Sequence, residues 1–397
     1  MVELLSIAGG SVFLAPVTVG GQDFRVVVDT GSSDPWLATI GFECLDPVTD
    51  IQIDEGDCRF GPLYDRTASS TYKAYPDRSM NLSYADGETL NGLMGYDSFT
   101  MGGVTVPVQE FGMVNYAAWY GDGVSSGLIG MAYRQLTSMY VGENPKAAVA
   151  GRALKYNPFF DNLYKSNTTA PVFSMALTRD TVTYPGGGLM GLGGIPDIPF
   201  SPSWIVTPIL PVSVNPTTNE KIYQFYSVTV DGFSVSSDQS AMFAPVAEAR
   251  QNPRKTALRG PSDPTKPADT TSVIAIIDSG TTLVYLDDAL ALAVAQAFTP
   301  PGYLNETTDM YEVPCNSVPP VFGVSIGGKV FNANQDDLKL QYSATNCISS
   351  VQGNHGGLWI LGDAWMKSVL CVFDVGAGVM GFAGRQYYGL SWDEGYY

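Results

Sequence analysis

The chain of 397 residues carries 39 acidic and 21 basic side chains, a formal net charge of −18, one histidine and five cysteines. An apolar content of 45% with 12% aromatics excludes global disorder, and the length suits two or three packing units or one large two-lobed body. The charge argues against nucleic acid and anionic membrane surfaces as partners, and a single histidine rules out multi-histidine zinc sites and leaves any Ser-His-Asp centre resting on His355 alone.

Taken in chain order, Met1–Leu5 carries Glu3 and lacks a basic leader region or cleavage motif, as in a mature form with its leader removed or a clipped gene model. Short β-branched and aromatic runs then alternate with Gly, Pro, Asn and Asp turns: Val17 to Gly21, Phe24 to Val28, Phe99 to Gly103 and Tyr226 to Gly232. This pattern predicts an all-β protein. Helical signals are few. A weak one lies at Pro158 to Tyr164, and a clearer one at Ala289 to Phe298, where Asp287 or Asp288 is placed to cap and Pro300-Pro301 to stop the helix. That apolar run is too short to span a bilayer, and the end at Asp393–Tyr397 offers no lipid-anchor tail. The proline-rich, basic stretch 244–270 has no periodicity and reads as an exposed insertion, with Arg254-Lys255 a lesser candidate processing site.

The cysteines form no C-x-x-C pair, which argues against zinc ribbons and thioredoxin-like redox chemistry. Cys44 to Cys58 and Cys315 to Cys347 have the spacing of loop staples, stabilising by about 3–4 kcal/mol each. Cys371, within Val369-Leu370-Cys371-Val372-Phe373, reads as a free core thiol. The acidic stretch from Glu43 to Asp57 lacks calcium-loop spacing, so no metal is expected, and His355 in its Gly-rich turn reads as an exposed loop residue. Sequons at Asn81, Asn167 and Asn305 lean toward a secreted glycoprotein.

An internal echo carries the most information. Val26-Val27-Val28-Asp29-Thr30-Gly31-Ser32-Ser33 returns as Ile274-Ala275-Ile276-Ile277-Asp278-Ser279-Gly280-Thr281-Thr282. Each is followed downstream by an apolar pair and Gly, Leu128-Ile129-Gly130 and Ile360-Leu361-Gly362. Such a D-[ST]-G-[ST] match arises by chance roughly 0.02 times in a chain this long. Two copies imply two lobes related by a pseudo-twofold axis, here residues 1–181 and 182–397. A buried strand delivers each Asp, and Gly31 lets the chain turn sharply and lets backbone approach. Ser32 and Thr281 are placed to donate to the outer carboxylate oxygens, and Thr30 and Ser279 to lock the loops together. Facing carboxyls cannot both ionise easily, so Asp29 and Asp278 would hold one proton over an acidic window, polarising a water from one side and protonating a carbonyl from the other.

With these motifs the sequence resembles the pepsin-family aspartic endopeptidases, from about Val12 to Ala383 and in the manner of fungal members. Trp36 follows the first motif at the family's spacing, and Asn81 to Gly87 resembles the flap hairpin with Tyr84 as its tyrosine. Leu93 to Asp97 is similar to the strand after the flap. Trp359 to Asp363 and Val372 to Asp374 are similar to the C-terminal signature, and the pairs Cys44–Cys58 and Cys315–Cys347 fall where the family has disulfides. The resemblance implies a two-lobed fold with a central cleft and catalysis by Asp29 and Asp278. It implies contacts to a bound peptide by Gly31, Ser32, Trp36, Tyr84, Ala85, Asp86, Gly280, Thr281 and Thr282, with apolar subsites lined by Leu128, Ile129 and Ile360. It further implies a monomer without cofactor, secreted or else vacuolar or lysosomal, made as a zymogen, acting on proteins or peptides at acid pH and inhibited by pepstatin-like compounds. The competing expectation is a pepsin-like scaffold that binds without catalysis.

Overall fold

The computed structural model describes residues 1–144, 152–178, 186–237, 272–343 and 345–385. The lobe boundary expected at 181–182, the stretch 244–270 with Arg254-Lys255, and the C-terminal Asp393–Tyr397 lie outside the described residues. The protein is all-β, as its alternating pattern predicts. Among the described residues the α-helices are Phe159–Lys165, Asp288–Gln296 and the one-turn Asp363–Met366. The second is capped by Asp287, which accepts the Leu290 N–H at 3.0 Å. The third has no periodic signal because it is a single turn. None is long and apolar enough to cross a membrane.

The described residues form two compact units. The first takes in 1–173, 180–195 and 211–225. Its sheet begins with Gly186–Leu192 and Val2–Ile7 and continues through Val12–Val19, Gln22–Asp29, Gly127–Gly130, Pro35–Leu45, Val104–Ala118, Thr89–Met101, Lys73–Ser83 and Met139–Val141. A further pairing of Val12–Val19 with Thr89–Met101 joins the third strand of that series to the eighth and closes a six-stranded barrel. Strand Thr89–Met101 shows why these residues take this place: buried and half-exposed positions alternate along it, the period of a sheet with one face on a core. The hairpin from Val12–Val19 into Gln22–Asp29 turns on Gly20-Gly21, both at positive φ (56° and 81°), which suits the twist of a two-residue turn. Trp36, Phe42, Met80, Leu90, Met94 and Leu128 fill the core, and the Cys44–Cys58 disulfide lies in the same cluster.

The second unit takes in 174–179, 196–210 and 226–397. Its central sheet has the order Ser227–Val230, Val273–Ile277, Trp359–Leu361, Val284–Leu286 and Val351–Gly353. Gly232–Ser236, Val321–Ile326 and Lys329–Asn332 form a second sheet, and in a third, four-stranded one the inner strand Cys347–Ser349 carries the Cys315–Cys347 bridge. Phe200–Pro208, Val379–Arg385 and Val369–Asp374 pair antiparallel. Cys371 is free and fully buried, and burial pushes its thiol well up, so it is an inert core residue as its strand pattern suggests.

The echo in the sequence is an echo in topology. In the first unit, Gln22–Asp29 runs parallel to Gly127–Gly130, which pairs antiparallel with Pro35–Leu45, itself parallel to Val104–Ala118. In the second, Val273–Ile277 runs parallel to Trp359–Leu361, which pairs antiparallel with Val284–Leu286, itself parallel to Val351–Gly353. In both, the strand that ends at the aspartate loop is bound to the later apolar-apolar-Gly segment, which also binds the strand leaving that loop.

Candidate active site

In the first unit the strand Gln22–Asp29 carries Asp29 to the end of a buried sheet, where its residue is 5% exposed. One carboxylate oxygen, Oδ1, accepts the Gly31 N–H at 2.7 Å, and Oδ2 accepts the Ser32 hydroxyl. The backbone is pinned from the other side, where the Met131 and Ala132 N–H groups donate to the carbonyls of Asp29 and Ser32 at 2.7 and 2.8 Å. Thr30 is fully buried beside it.

The second unit repeats the carboxylate wiring atom for atom, while its backbone ties reach Thr281 and Thr282, the counterparts of Ser32 and Ser33. Asp278, 9% exposed, accepts the Gly280 N–H on Oδ1 at 2.8 Å and the Thr281 hydroxyl on Oδ2 at 2.7 Å. The Asp363 and Ala364 N–H groups donate to the carbonyls of Thr281 and Thr282 at 2.8 and 3.0 Å. Ser279 is buried. Each carboxylate thereby accepts a backbone N–H on one oxygen and a hydroxyl on the other, which fixes its plane.

The two downstream glycines explain why the apolar pair is always followed by Gly. A methyl group at Gly130 would lie 2.4–2.5 Å from the backbone of Ser33, and one at Gly362 would lie 2.2 Å from the carbonyl oxygens of Thr281 and Leu283. No side chain fits at either place, so the aspartate loops pack directly on these backbones.

Tyr84 begins the turn of the hairpin made by Lys73–Ser83 and Thr89–Met101, and its hydroxyl oxygen accepts the indole N–H of Trp36 at 2.8 Å. Trp36 is 1% exposed, so the Asp34-Pro35 dipeptide before it leaves the indole in the core. Burial and then the charge of Asp29 push the Tyr84 hydroxyl well up, so its proton remains to donate. Ala85 and Asp86 are exposed at the hairpin tip. Leu128 and Ile129 are buried in the first unit, and Ile360 is half-buried in the second. Gly31, Ser32, Thr281 and Thr282 are partly exposed and Gly280 is open to solvent.

Other residues enter the site that sequence reasoning passed over. Asp34 is 2% exposed, and its Oδ1 accepts the Tyr156 hydroxyl at 2.5 Å and the Ser138 N–H at 2.9 Å. Burial pushes its carboxyl up to about 6 against those donors and the charge of Lys155. Its partners are 104 and 122 positions away, beyond any local motif. Trp119 packs edge-on against Trp36 at 5.2 Å and stacks on Phe60 at 6.0 Å, with Tyr84 at 5.9 Å. Glu88, one residue past the flap-like motif, is 7% exposed and accepts the Tyr120 N–H at 2.7 Å. The signal that could have found it is a second acid two positions from Asp86 in a tight turn, where like charges meet. His355 lies in an exposed turn, 3.5 Å from Asp288 and 3.3 Å from Asp309, away from this machinery.

An all-β chain of two compact units, each ending a buried strand in the same donor-wired aspartate loop, defines the pepsin-like class of proteins. The chain belongs to the eukaryotic aspartyl protease family, whose model matches residues 12–385, and it is accordingly a hydrolase of the aspartic endopeptidase type. It is 36% identical over 389 residues to a probable aspartic-type endopeptidase of Aspergillus fumigatus, covering 96% of this chain and 80% of the relative. It is 27% identical over 370 residues to rhizopuspepsin-4 of Rhizopus niveus (91% and 74% covered) and 26% identical over 383 residues to an aspartic protease of Phaffia rhodozyma (94% and 76%). Proteins or peptides are thus its substrates.

Proposed function

We propose that the protein cleaves peptide bonds at acidic pH by activating one water between Asp29 and Asp278. The observation that supports this most directly is the duplicated wiring, a glycine N–H on one carboxylate oxygen and a hydroxyl on the other in each loop. One carboxylate takes a proton from water while the other, protonated, donates to the substrate carbonyl oxygen. The water oxygen attacks the carbonyl carbon to give a tetrahedral diol. Proton transfer to the amide nitrogen then breaks the C–N bond, and no covalent enzyme adduct forms. A peptide in extended form, bound through main-chain hydrogen bonds as an added strand, fits a β-rich scaffold of this kind. Ile360, half-buried, favours large apolar residues around the scissile bond, whereas Leu128 and Ile129, expected beside it, are buried in the first unit. The two disulfides suit an oxidising compartment and hence a secreted protein.

The test is digestion of an acid-denatured protein between pH 3 and 7. Activity is expected to peak below about pH 5, where the shared proton is present. Asp29→Asn and Asp278→Asn are each expected to lower kcat by about 10³-fold or more while a pepstatin-class peptide still protects the fold. An unchanged rate in either variant overturns the mechanism. Tight binding of the peptide by a wild-type protein that turns over no substrate points instead to a binding protein.

A further inference from the structure

The hairpin that presents Tyr84 is tied down at its base by a side chain. The backbone ladder between Thr89–Met101 and Val104–Ala118 ends at the pair Thr89 and Ala118. One step beyond, the ladder is continued by the Glu88 carboxyl, whose Oε1 accepts the Tyr120 N–H at 2.7 Å. The Glu88 N–H in turn donates to Asp86 Oδ1 at 3.1 Å, and its carbonyl accepts the Tyr84 N–H at 2.9 Å. The turn sets the Glu88 carboxyl beside that of Asp86, where the two like charges repel unless one of them carries a proton. Resting on the reading of the site given above, we propose that Glu88 is a positioning residue: its protonated carboxyl latches the Tyr84 hairpin to the 118–120 strand end, and its ionisation releases the hairpin and weakens peptide binding.

The surroundings of Glu88 support a held proton. On its own hairpin it faces Asp86, a like charge, and Tyr84, whose hydroxyl its charge also raises. From the opposite strand end it meets the Tyr120 backbone, while Asp122 in the same segment spends its carboxylate on the Val124 and Ser125 N–H groups at 2.7 and 2.6 Å. Burial first, and then Asp86, push Glu88 up to about 8 against the Tyr120 N–H, which favours the carboxylate but is outweighed. Below that point the acid proton goes to Asp86 while the other Glu88 oxygen keeps the Tyr120 bond. Above it, two carboxylates face each other at the hairpin turn and one of them is buried, so the turn must open to hydrate them.

The experiment compares the wild type with Glu88→Gln, a neutral isostere that donates to Asp86 and accepts from Tyr120 at every pH. Dissociation constants for pepstatin are measured from pH 5 to 9. Ionisation of the aspartate pair changes both proteins alike, so the ratio of wild type to variant isolates Glu88. It is expected to be about 1 at pH 5 and to rise through pH 8 to about 10 at pH 9. Glu88→Ala is expected to bind more weakly at every pH, with Gln restoring affinity. Hydrogen exchange of segment 118–122 in the unliganded wild type, corrected for intrinsic base catalysis, is expected to accelerate above pH 8. That measurement needs neither variant nor ligand, so it stands even if pepstatin fails to bind and the two-aspartate reading falls. A flat affinity ratio, or exchange that stays equally protected across the range, overturns the latch.

Discussion

Asp34 stands five positions beyond Asp29 and carries a different burden. The Tyr156 hydroxyl and the Ser138 N–H both converge on its Oδ1 in a buried site. Its carboxyl is raised from 3.8 to about 6, chiefly by burial. Between those values the unfolded chain has released the proton and the folded chain still holds it, so stability falls as pH rises from about 4 to 6. Below about pH 4 both states are protonated and the penalty vanishes; above 6 it is complete, at about 3 kcal/mol. Asn in place of Asp34 keeps the oxygen that Tyr156 and Ser138 need and removes the titration. Asp34→Asn is therefore expected to gain up to about 3 kcal/mol at pH 7 and nothing at pH 3, read from urea-denaturation midpoints. An equal gain at both pH values would mean that packing, not the proton, is responsible.

The elements that hold the aspartates depend on two glycines as much as on the strands. Strand Gln22–Asp29 and segment Gly127–Gly130 pair in parallel with Asp29 opposite Gly130. In the second unit Asp278 is reached through Ile277, which pairs with Leu361 just before Gly362. Gly362→Ala is expected to destabilise by roughly 1–3 kcal/mol through forced overpacking and to lower kcat far more than KM. The reason is that its methyl would push on the Thr281 carbonyl, and Thr281 positions Asp278. A variant with normal kcat and only lowered Tm would detach the glycine from the site. At this scale much was legible beforehand. The all-β class, the two aspartate loops, the downstream apolar-Gly segments and the Asp287 cap are local patterns of a few residues, which a sequence displays, and the two disulfides close loops of 14 and 32 positions whose spacing is legible too. The one-turn helix Asp363–Met366 is too short to carry a period, and the Glu88–Tyr120 tie joins a side chain to a backbone amide that any residue could supply.

Over the whole molecule, contacts that required knowledge of the barrel stayed hidden. The Tyr156 bond to Asp34 and the Trp119 stack on Phe60 exist only because strands far apart in the chain close on one another. Charge, by contrast, was readable at once, and it makes a prediction that no single residue can. A net charge of −18 at pH 7 spread over a two-unit chain repels itself and lowers the stability of the compact state. Near pH 4, with ordinary carboxylate values close to 4, roughly half of the acidic groups are protonated, which brings the net charge near zero. Asp34 and Glu88 work in the same direction, since both hold protons more tightly in the fold than in the open chain. The thermal midpoint is therefore expected to be highest in mild acid and to decline toward pH 7. Sodium chloride at 1 M, where the screening length shrinks to about 3 Å, is expected to recover much of the decline at pH 7 and to change little at pH 4. The recovery should stop short of the acid value, because the penalties at Asp34 and Glu88 come chiefly from burial, which salt does not screen. A scan of Tm against pH at low and high salt checks both parts. An equal salt effect at pH 4 and 7 would reject self-repulsion as the cause, and complete recovery at pH 7 would reject the contribution of the buried acids.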